Sequence, residues 1–499
     1  MCLVSLGCAK NLVDSEVMMG HLDRAGIGLV TEPEDADVVI INTCGFIDAA
    51  REESVDTVLQ YVAMKEQGDV RGVVVTGCLV QLHEQQLAEE IPEVDAFLGL
   101  SDYSGVPSIV DAVLGHKGAM PGPDDLLPNS GLVGGGEKGG DADLGRALLT
   151  PAHTAYLRLG EGCNHICAFC AIPKIRGKLS SKPMEVLVEE ASALAQLGTR
   201  EITLVAEDST DYGKDLGLGY DLSDLLIELG KIEGLRWVRV MYAHPATLDE
   251  RLVRTMAEVP NVLPYLDMPV QHGDSGVLKA MRRGTSAERI RQVVGQLREG
   301  IPEITLRTTI LVGFPGETEE GFQNLMALLE ELRFDRVGCF VFSVEETTEA
   351  ARLPGAVSRE VAEERQAQVM ALQRRLLTDA NRARIGSEEE ILIDLVEDLE
   401  GVPGRLAVGR TMRDALQVDG QVLVSLPDAP ADAPADADPD ADPDADADPD
   451  ADPDVSDEAG AADVPCAPGA DWTPGMFARV KITGQKGYDL VATPCPPAQ

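Results

Sequence analysis

Three cysteines, Cys163, Cys167 and Cys170, fall within the stretch "EGCNHICAFC" at the spacing C-x3-C-x2-C. Thiolates are soft ligands for iron and zinc, and this spacing lets one short loop wrap a single metal centre. Both centres ask for a fourth ligand. A structural zinc takes four protein side chains, and the nearest candidate, His165, lies between the cysteines and is expected to point away. A cubane bound by three thiolates instead keeps one iron open to an exogenous ligand, which is useful for chemistry. Gly160 and Gly162 are expected to let the backbone approach such a centre.

Cys8, Cys44 and Cys78 stand in "LGCAKN", "NTCGF" and "TGCLV". Each closes a β-rich run, "MCLVSL", "DVVIINT" and "GVVVTG", with "VDAFLG" as a fourth, and amphipathic helical stretches lie between them. That alternation argues for βαβ units and a parallel sheet. Ligands of such sheets bind outside the carboxyl ends of the strands, so the three cysteines, distant in sequence, are expected to meet. Gly7, Gly45 and Gly77 are expected to leave backbone room beside them for something bulky.

The elements that must position these residues imply an α/β chain. Residues 1–115 read as an N-terminal parallel-sheet βαβ domain, and 116–150, rich in glycine, proline and charge, as a linker. Over 151–380 strand and helix alternate about six times, which predicts a central partial (β/α)6 barrel with its site at the strands' carboxyl ends. The cysteine triplet follows the first of those strands. A long charged helix at roughly 358–385 then leads into 381–495, whose alternating strands fit a small five-stranded β-barrel of a kind that binds RNA.

At 499 residues the chain is long enough for about three domains. No run approaches the ~20 apolar residues of a membrane span, and "MCLVSLGCAKN" lacks the pattern of a secretory signal. The expected location is cytoplasmic, where ten scattered cysteines favour metal or redox chemistry over disulfides. Cys2, Cys339, Cys466 and Cys495 have no partners at useful spacing and read as bystanders. The net charge is −43, and the Asp-Ala-Pro tract from Asp428 to Asp463 holds fifteen acidic residues and no basic one, leaving about −28 elsewhere. With nothing to bury, the insertion at 427–465 is expected to be disordered. It is either a solvated loop or an element that repels stray RNA or attracts a basic protein.

The triplet, its preceding strand and Phe169 beside the last cysteine resemble the radical S-adenosylmethionine enzymes. That resemblance implies a [4Fe-4S] cluster on Cys163, Cys167 and Cys170, with S-adenosylmethionine on the fourth iron, cleaved reductively to a 5′-deoxyadenosyl radical. "SLGCAKNLVDSE", "NTCGFI", "EGCNHICAFCAIPKIRGK", "LDMPVQH", "ILVGFPGETEE" and "DRVGCFVFS" further resemble the methylthiotransferase branch. The branch implies a second [4Fe-4S] cluster on Cys8, Cys44 and Cys78 and a C-terminal TRAM-like barrel that contacts the macromolecular substrate. Its transfer-RNA members usually read "GCQMN" and "QSG". Here "GCAKNLVDSE" and "QHGD" are similar instead to members that methylthiolate the β-carbon of an aspartate in ribosomal protein S-twelve.

Partners implied in this way are that protein, free or within the ribosome or 30S subunit, an electron donor and a sulfur source. No membrane is implied. RNA contact through the TRAM-like domain is weighed against the acidic insertion, which a polyanion would tolerate poorly. A transfer-RNA methylthiotransferase and a non-catalytic iron-sulfur or RNA-binding module are the alternatives. Candidate cofactor-binding residues besides Phe169 are Glu207, Gln271, His272 and Arg307 at strand ends, with Asp208 similar to Glu207. Glu317, Glu319 and Glu320 sit at a helix-start signature and suit either capping or a cofactor contact. Lys182 stands where the family more often has arginine, and "VFSVEETTEA" lacks the family's usual proline and glycine.

Overall fold

Valine and isoleucine crowd the N-terminal strands β1 (Cys2–Ser5), β2 (Val38–Thr43), β3 (Gly72–Gly77) and β4 (Ala96–Leu98). Every residue of β2 and β3 is buried, as expected of parallel strands covered on both faces. The four lie side by side in chain order, all parallel. They are connected and covered by α1 (Ala9–Arg24), α2 (Asp48–Gln67), α3 (Cys78–Glu90) and α4 (Val106–Val113). Period-two alternation sorts the contacts. Val38, Ile40 and Val74 meet Met18 and Leu22 of α1 and Ile109 and Val110 of α4. Val39, Ile41, Val73 and Val75 meet Val58 and Val62 of α2 and Leu79 and Leu87 of α3.

This is a computed structural model, and it describes residues 1–100, 103–115, 143, 145–398, 404–426 and 472–495. The chain forms two compact units, Met1–Ala380 and Asn381–Gln499. Of the linker expected over 116–150, residues 116–142 and 144 lie outside the described residues, as do the acidic tract and Cys466.

The first unit continues with a six-stranded parallel sheet, β12-β11-β10-β9-β8-β5. Its strands are β5 (Thr154–Arg158), β8 (Glu201–Val205), β9 (Trp237–Val240), β10 (Val262–Asp267), β11 (Thr305–Val312) and β12 (Arg336–Val341), and a short hairpin of β6 (Gly160–Glu161) and β7 (Ser180–Ser181) follows β5. Between them run α5 (Ile172–Ile175), α6 (Met184–Gln196), α7 (Leu222–Leu229), α8 (Glu250–Glu258), α9 (Ser275–Ala280), α10 (Ala287–Gly300) and α11 (Glu319–Leu332), and α12 (Arg359–Arg384) comes last. This is the expected incomplete (β/α)6 arrangement. Helix starts are fixed by side-chain caps: Asp221, Asp249, Asp274, Ser286 and Thr318 each accept a backbone N–H from the first turn, worth about 1 kcal/mol apiece.

Leu157, Ile202, Leu204, Val238, Val240, Leu306 and Ile310 join the helices in one apolar core. The alternate positions carry charge. Arg239 and Glu201 form a fully buried pair at 2.9 Å, and Arg307 bonds Asp267 of the neighbouring strand at 2.9 Å. The sheet therefore has one apolar face for its helices and one polar face for a site.

In the second unit β13 (Glu388–Asp398), β14 (Arg405–Thr411), β15 (Val422–Leu426), β16 (Phe477–Lys486) and β17 (Asp489–Pro494) close a barrel in the order β13-β14-β15-β17-β16. Ile391, Ile393, Val424, Val480 and Ile482 fill it with Trp472. Arg410, almost wholly buried, donates to both oxygens of Asp394 at 2.7 and 2.9 Å.

Candidate active site

Cys8 stands at the position just before α1, Cys44 follows the last residue of β2, and Cys78 opens α3 directly after β3. The parallel topology brings these strand ends to one edge. Cys44 N–H donates to Ser54 Oγ at 3.1 Å, and the Ser54 hydroxyl donates back to the Cys44 carbonyl at 3.0 Å. The Cys78 thiol donates to Asn11 Oδ1 at 3.3 Å. Burial pushes the Cys78 thiol up to about 12, while the Arg176 cation opposes the shift and the charges of Cys8 and Cys44 add to it. Burial likewise raises Cys44, and Cys8 adds to that. The three sulfurs thus share one electrostatic neighbourhood.

The glycines beside them do something other than leave room for a bulky group. A Cβ on Gly45 would lie 2.8 Å from Leu79 Cα, and one on Gly77, at φ +104°, would lie 2.3 Å from the Thr43 carbonyl. A Cβ on Gly7 would meet that of Cys44 at 2.8 Å. The protein's own backbone and the Cys44 side chain occupy the space, so these glycines draw the three strand ends together.

The second set hangs on the loop after β5. Cys163 N–H donates to the Gly177 carbonyl at 3.1 Å, Cys170 N–H to that of Cys167 at 3.1 Å, and Ala168 N–H to Met281 at 2.9 Å. Arg283 donates to the Cys167 sulfur at 3.6 Å and to the Pro269 carbonyl at 2.7 Å. Gly160 and Gly162 also serve the protein: added Cβ atoms would fall 2.5 Å from the Ser180 carbonyl and 2.3 Å from that of Lys178. They let the hairpin close behind the loop.

Burial pushes both Cys163 and Cys170 up to about 12, with the charges of Glu207 and the neighbouring cysteines adding. Thiolates in such surroundings need a positive partner, which an iron centre supplies as it displaces the proton. Two groups of three soft donors, each gathered by its own elements, therefore fit iron-sulfur clusters by ligand type and number.

His165 turns from the cysteines toward β8. Its Nε2 lies 2.7 Å from Asp208 Oδ2, and its ring stacks on that of His244 with centroids 4.2 Å apart. Burial raises the Asp208 carboxyl, but hydrogen bonds from His165 and Thr210 outweigh it and hold the group below its ordinary value. Glu207, next in the chain, lies 3.6 Å from Lys10 and 3.8 Å from Arg176. Phe169 packs beside Val277, Met281 and Phe314.

Gln271 adopts φ +73°, and its backbone bridges to β11 through Thr309 and Leu311 at 2.9 and 2.8 Å. His272 is fully buried, with Nδ1 accepting from Asp274 N–H at 2.9 Å. Arg307 is the third residue of β11, near the amino end of that strand, where it pairs with Asp267, the last residue of β10. Glu317 is taken up in structure, accepting the Gly313 and Phe314 N–H groups and pairing with Arg365 at 3.1 Å. Glu319 and Glu320 occupy the first turn of α11 behind the Thr318 cap. Lys182 is buried between Asp143 and Glu190.

Sequence reasoning missed the residues that join the two cysteine sets. Arg176, from the end of α5, donates to Asp14 at 2.7 Å, Asn11 at 2.8 Å and Glu161 at 2.9 Å, and lies 3.8 Å from the Cys78 sulfur. Arg158 of β5 pairs with Asp143 at 2.7 Å and also bonds Asp14 and Glu161. Lys10, Asn11 and Asp14 are all buried although they open α1. Polar residues at i, i+1 and i+4 in the stretch "CAKNLVD" carry the one signal available, a helix face whose polarity suits a charged partner better than an apolar core.

Residues 1–99 match the family described as Uncharacterized protein family UPF0004, and residues 157–329 match the Radical SAM superfamily. The ribosomal protein uS12 methylthiotransferase RimO of Clostridioides difficile is 41% identical over 427 residues, 85% of this chain and 92% of the relative. That of Geobacter sulfurreducens is 42% identical, covering 86% and 93%. Among solved structures, the radical S-adenosylmethionine methyltransferase TsrM of Kitasatospora setae, with cobalamin and a [4Fe-4S] cluster bound, aligns at a TM-score of 0.51 and 15% identity over 68% of this chain and 74% of that one. That likeness concerns the fold. Identity sustained over so much of both sequences, together with the radical SAM domain, shows that the chain belongs to the RimO family of radical SAM methylthiotransferases.

Proposed function

We propose that this enzyme methylthiolates the β-carbon of an aspartate in ribosomal protein uS12. Cys163, Cys167 and Cys170 would hold one [4Fe-4S] cluster and Cys8, Cys44 and Cys78 a second. Phe169, Glu207, Gln271, His272 and Arg307 are proposed to bind S-adenosylmethionine. The carrying observation is the junction at Arg176, whose guanidinium reaches Cys78 at 3.8 Å and Glu207 at 3.8 Å. Glu207 in turn lies within the field of Cys163 and Cys170.

Bound at these sites, the clusters and S-adenosylmethionine would supply a 5′-deoxyadenosyl radical and the methylthio group. Radical chemistry suits the target, since no side-chain base removes an unactivated β-hydrogen at neutral pH. The chain's own part is positional. Each set would offer three thiolates and leave one iron for a further ligand, and the Arg176 network fixes one set against the other.

The same reading treats 1–115 as the methylthiotransferase domain, 116–150 as a linker, 151–380 as the radical SAM domain and 381–495 as a TRAM-like substrate-binding barrel. The enzyme would work in the cytoplasm with an electron donor and a sulfur source. No helix among the described residues is long and apolar enough to cross a membrane. The test is mass spectrometry of uS12 and of transfer RNA from cells with and without the gene. Loss of the methylthio mass from uS12 with transfer RNA unchanged is expected; the reverse pattern overturns the proposal.

A further inference from the structure

Lys10 is the second residue of α1, two positions from Cys8, and is 7% exposed. Its ammonium group has polar neighbours on the barrel side, but all of them are distant: the Ala206 carbonyl at 3.5 Å and Glu207 Oε2 at 3.6 Å. Charge-assisted hydrogen bonds normally run at about 2.7–2.9 Å. The ring of Tyr242 lies below it, with the nitrogen 4.0 Å from the centroid. Tyr242 holds φ +62° just after β9, a left-handed conformation that costs an aromatic residue energy and is kept where the surroundings demand it.

Three other cations of this unit are more closely engaged. Arg176 bonds Asp14, Asn11 and Glu161 within 2.9 Å, Arg283 bonds the Pro269 carbonyl at 2.7 Å, and Arg307 bonds Asp267 at 2.9 Å. Of these four, Lys10 alone has no polar contact closer than 3.5 Å among the described residues.

We propose that Lys10 is a specificity-determining residue that receives the carboxylate of the substrate aspartate; this rests on the functional reading above. The chemistry requires some such cation. An aspartate that reacts at Cβ carries its carboxylate one bond away, so the carboxylate enters wherever the carbon does. Glu207, Asp14, Glu161 and the thiolates would repel it. A buried ammonium between Cys8 and Glu207, with donors left for a closer acceptor, offsets that repulsion and rejects a neutral side chain of the same shape.

The test uses the full-length, anaerobically reconstituted enzyme and small ribosomal subunits carrying either uS12 or uS12 with asparagine at the modified position. For the wild type, kcat/KM is expected to be about 100-fold lower with the asparagine substrate, in keeping with losing one partner of a buried charge pair. In Lys10→Met that preference should shrink to within about threefold, and Lys10→Arg should keep most of it. Electron paramagnetic resonance should show both clusters in each variant. A wild type indifferent to the substitution, or a Lys10→Met variant that keeps the full preference, overturns the proposal. Loss of either cluster in both variants also overturns it, by making Lys10 structural. A wild type inactive on both substrates overturns the functional reading itself, and this inference with it.

Discussion

Arg176, which follows the Cys163–Cys170 loop in the chain, lies 3.8 Å from the sulfur of Cys78, a member of the other cysteine set. Arg176 is 3% exposed, and Asp14, its partner at 2.7 Å, is fully buried. Replacing Arg176 with methionine keeps the bulk but leaves a buried carboxylate with one cation fewer. Breaking a buried pair from one side costs about 3–5 kcal/mol. Arg176→Met should lower the urea midpoint accordingly, and Arg176→Lys should lower it less. Equal stability of Arg176→Met and wild type would mean that Arg158 alone satisfies Asp14.

The two cysteine sets should be separable. Alanine at Cys163, Cys167 and Cys170 is expected to remove one cluster's absorbance and all reductive cleavage of S-adenosylmethionine. Alanine at Cys8, Cys44 and Cys78 should remove the other cluster while cleavage persists. If the second triple variant keeps its full iron content after anaerobic reconstitution, those three are not ligands.

The strands and the gathering of Cys8, Cys44 and Cys78 could be read from the chain because both depend on local pattern and on one rule of parallel sheets. The runs "MCLVSL", "DVVIINT" and "GVVVTG", each followed at once by a glycine or a cysteine, leave few alternatives. The charged junction could not. Arg176 and Asp14 are 162 positions apart, and nothing in "IPKIRGK" says that its arginine turns toward the N-terminal sheet rather than to solvent. The glycines misled for a related reason. Sequence indicates that a Cβ is unwelcome at Gly45 or Gly162, but only packing reveals whether a ligand or the protein's own backbone takes the space.

Gly45 offers the sharpest test of that packing. Its added Cβ would lie 2.9 Å from Leu79 N and 3.1 Å from the Cys78 carbonyl carbon, so alanine must push the start of α3 away from Cys44. Backbone cannot yield as a side-chain tip can. Gly45→Ala is therefore expected to lose about half of the bound iron, the share of one of two cubanes, while cleavage of S-adenosylmethionine at the other set continues. Full iron content in a folded Gly45→Ala protein would show that α3 accommodates the methyl group without spreading the ligands.

His244 supplies a prediction on pH. It is 2% exposed, and burial, with Arg283 and His165 adding positive charge nearby, depresses its pKa to about 3. Its Nδ1 accepts from Ala246 N–H at 3.2 Å, which a neutral ring can do and a doubly protonated one cannot. An unfolded histidine titrates near 6.5. As pH falls below 6.5 the unfolded chain takes up a proton that the folded chain refuses, so the stability present above 6.5 is lost progressively toward pH 3. At pH 5 the loss from this one group is about 2 kcal/mol, from 1.5 units at 1.36 kcal/mol each. Asparagine at this position can accept the same backbone N–H and does not titrate. Urea unfolding of the iron-free protein at pH 7 and pH 5 should show the wild type losing about 2 kcal/mol more than His244→Asn. Parallel losses would mean that His244 is protonated in the folded protein and that its charge is accommodated beside Asp208.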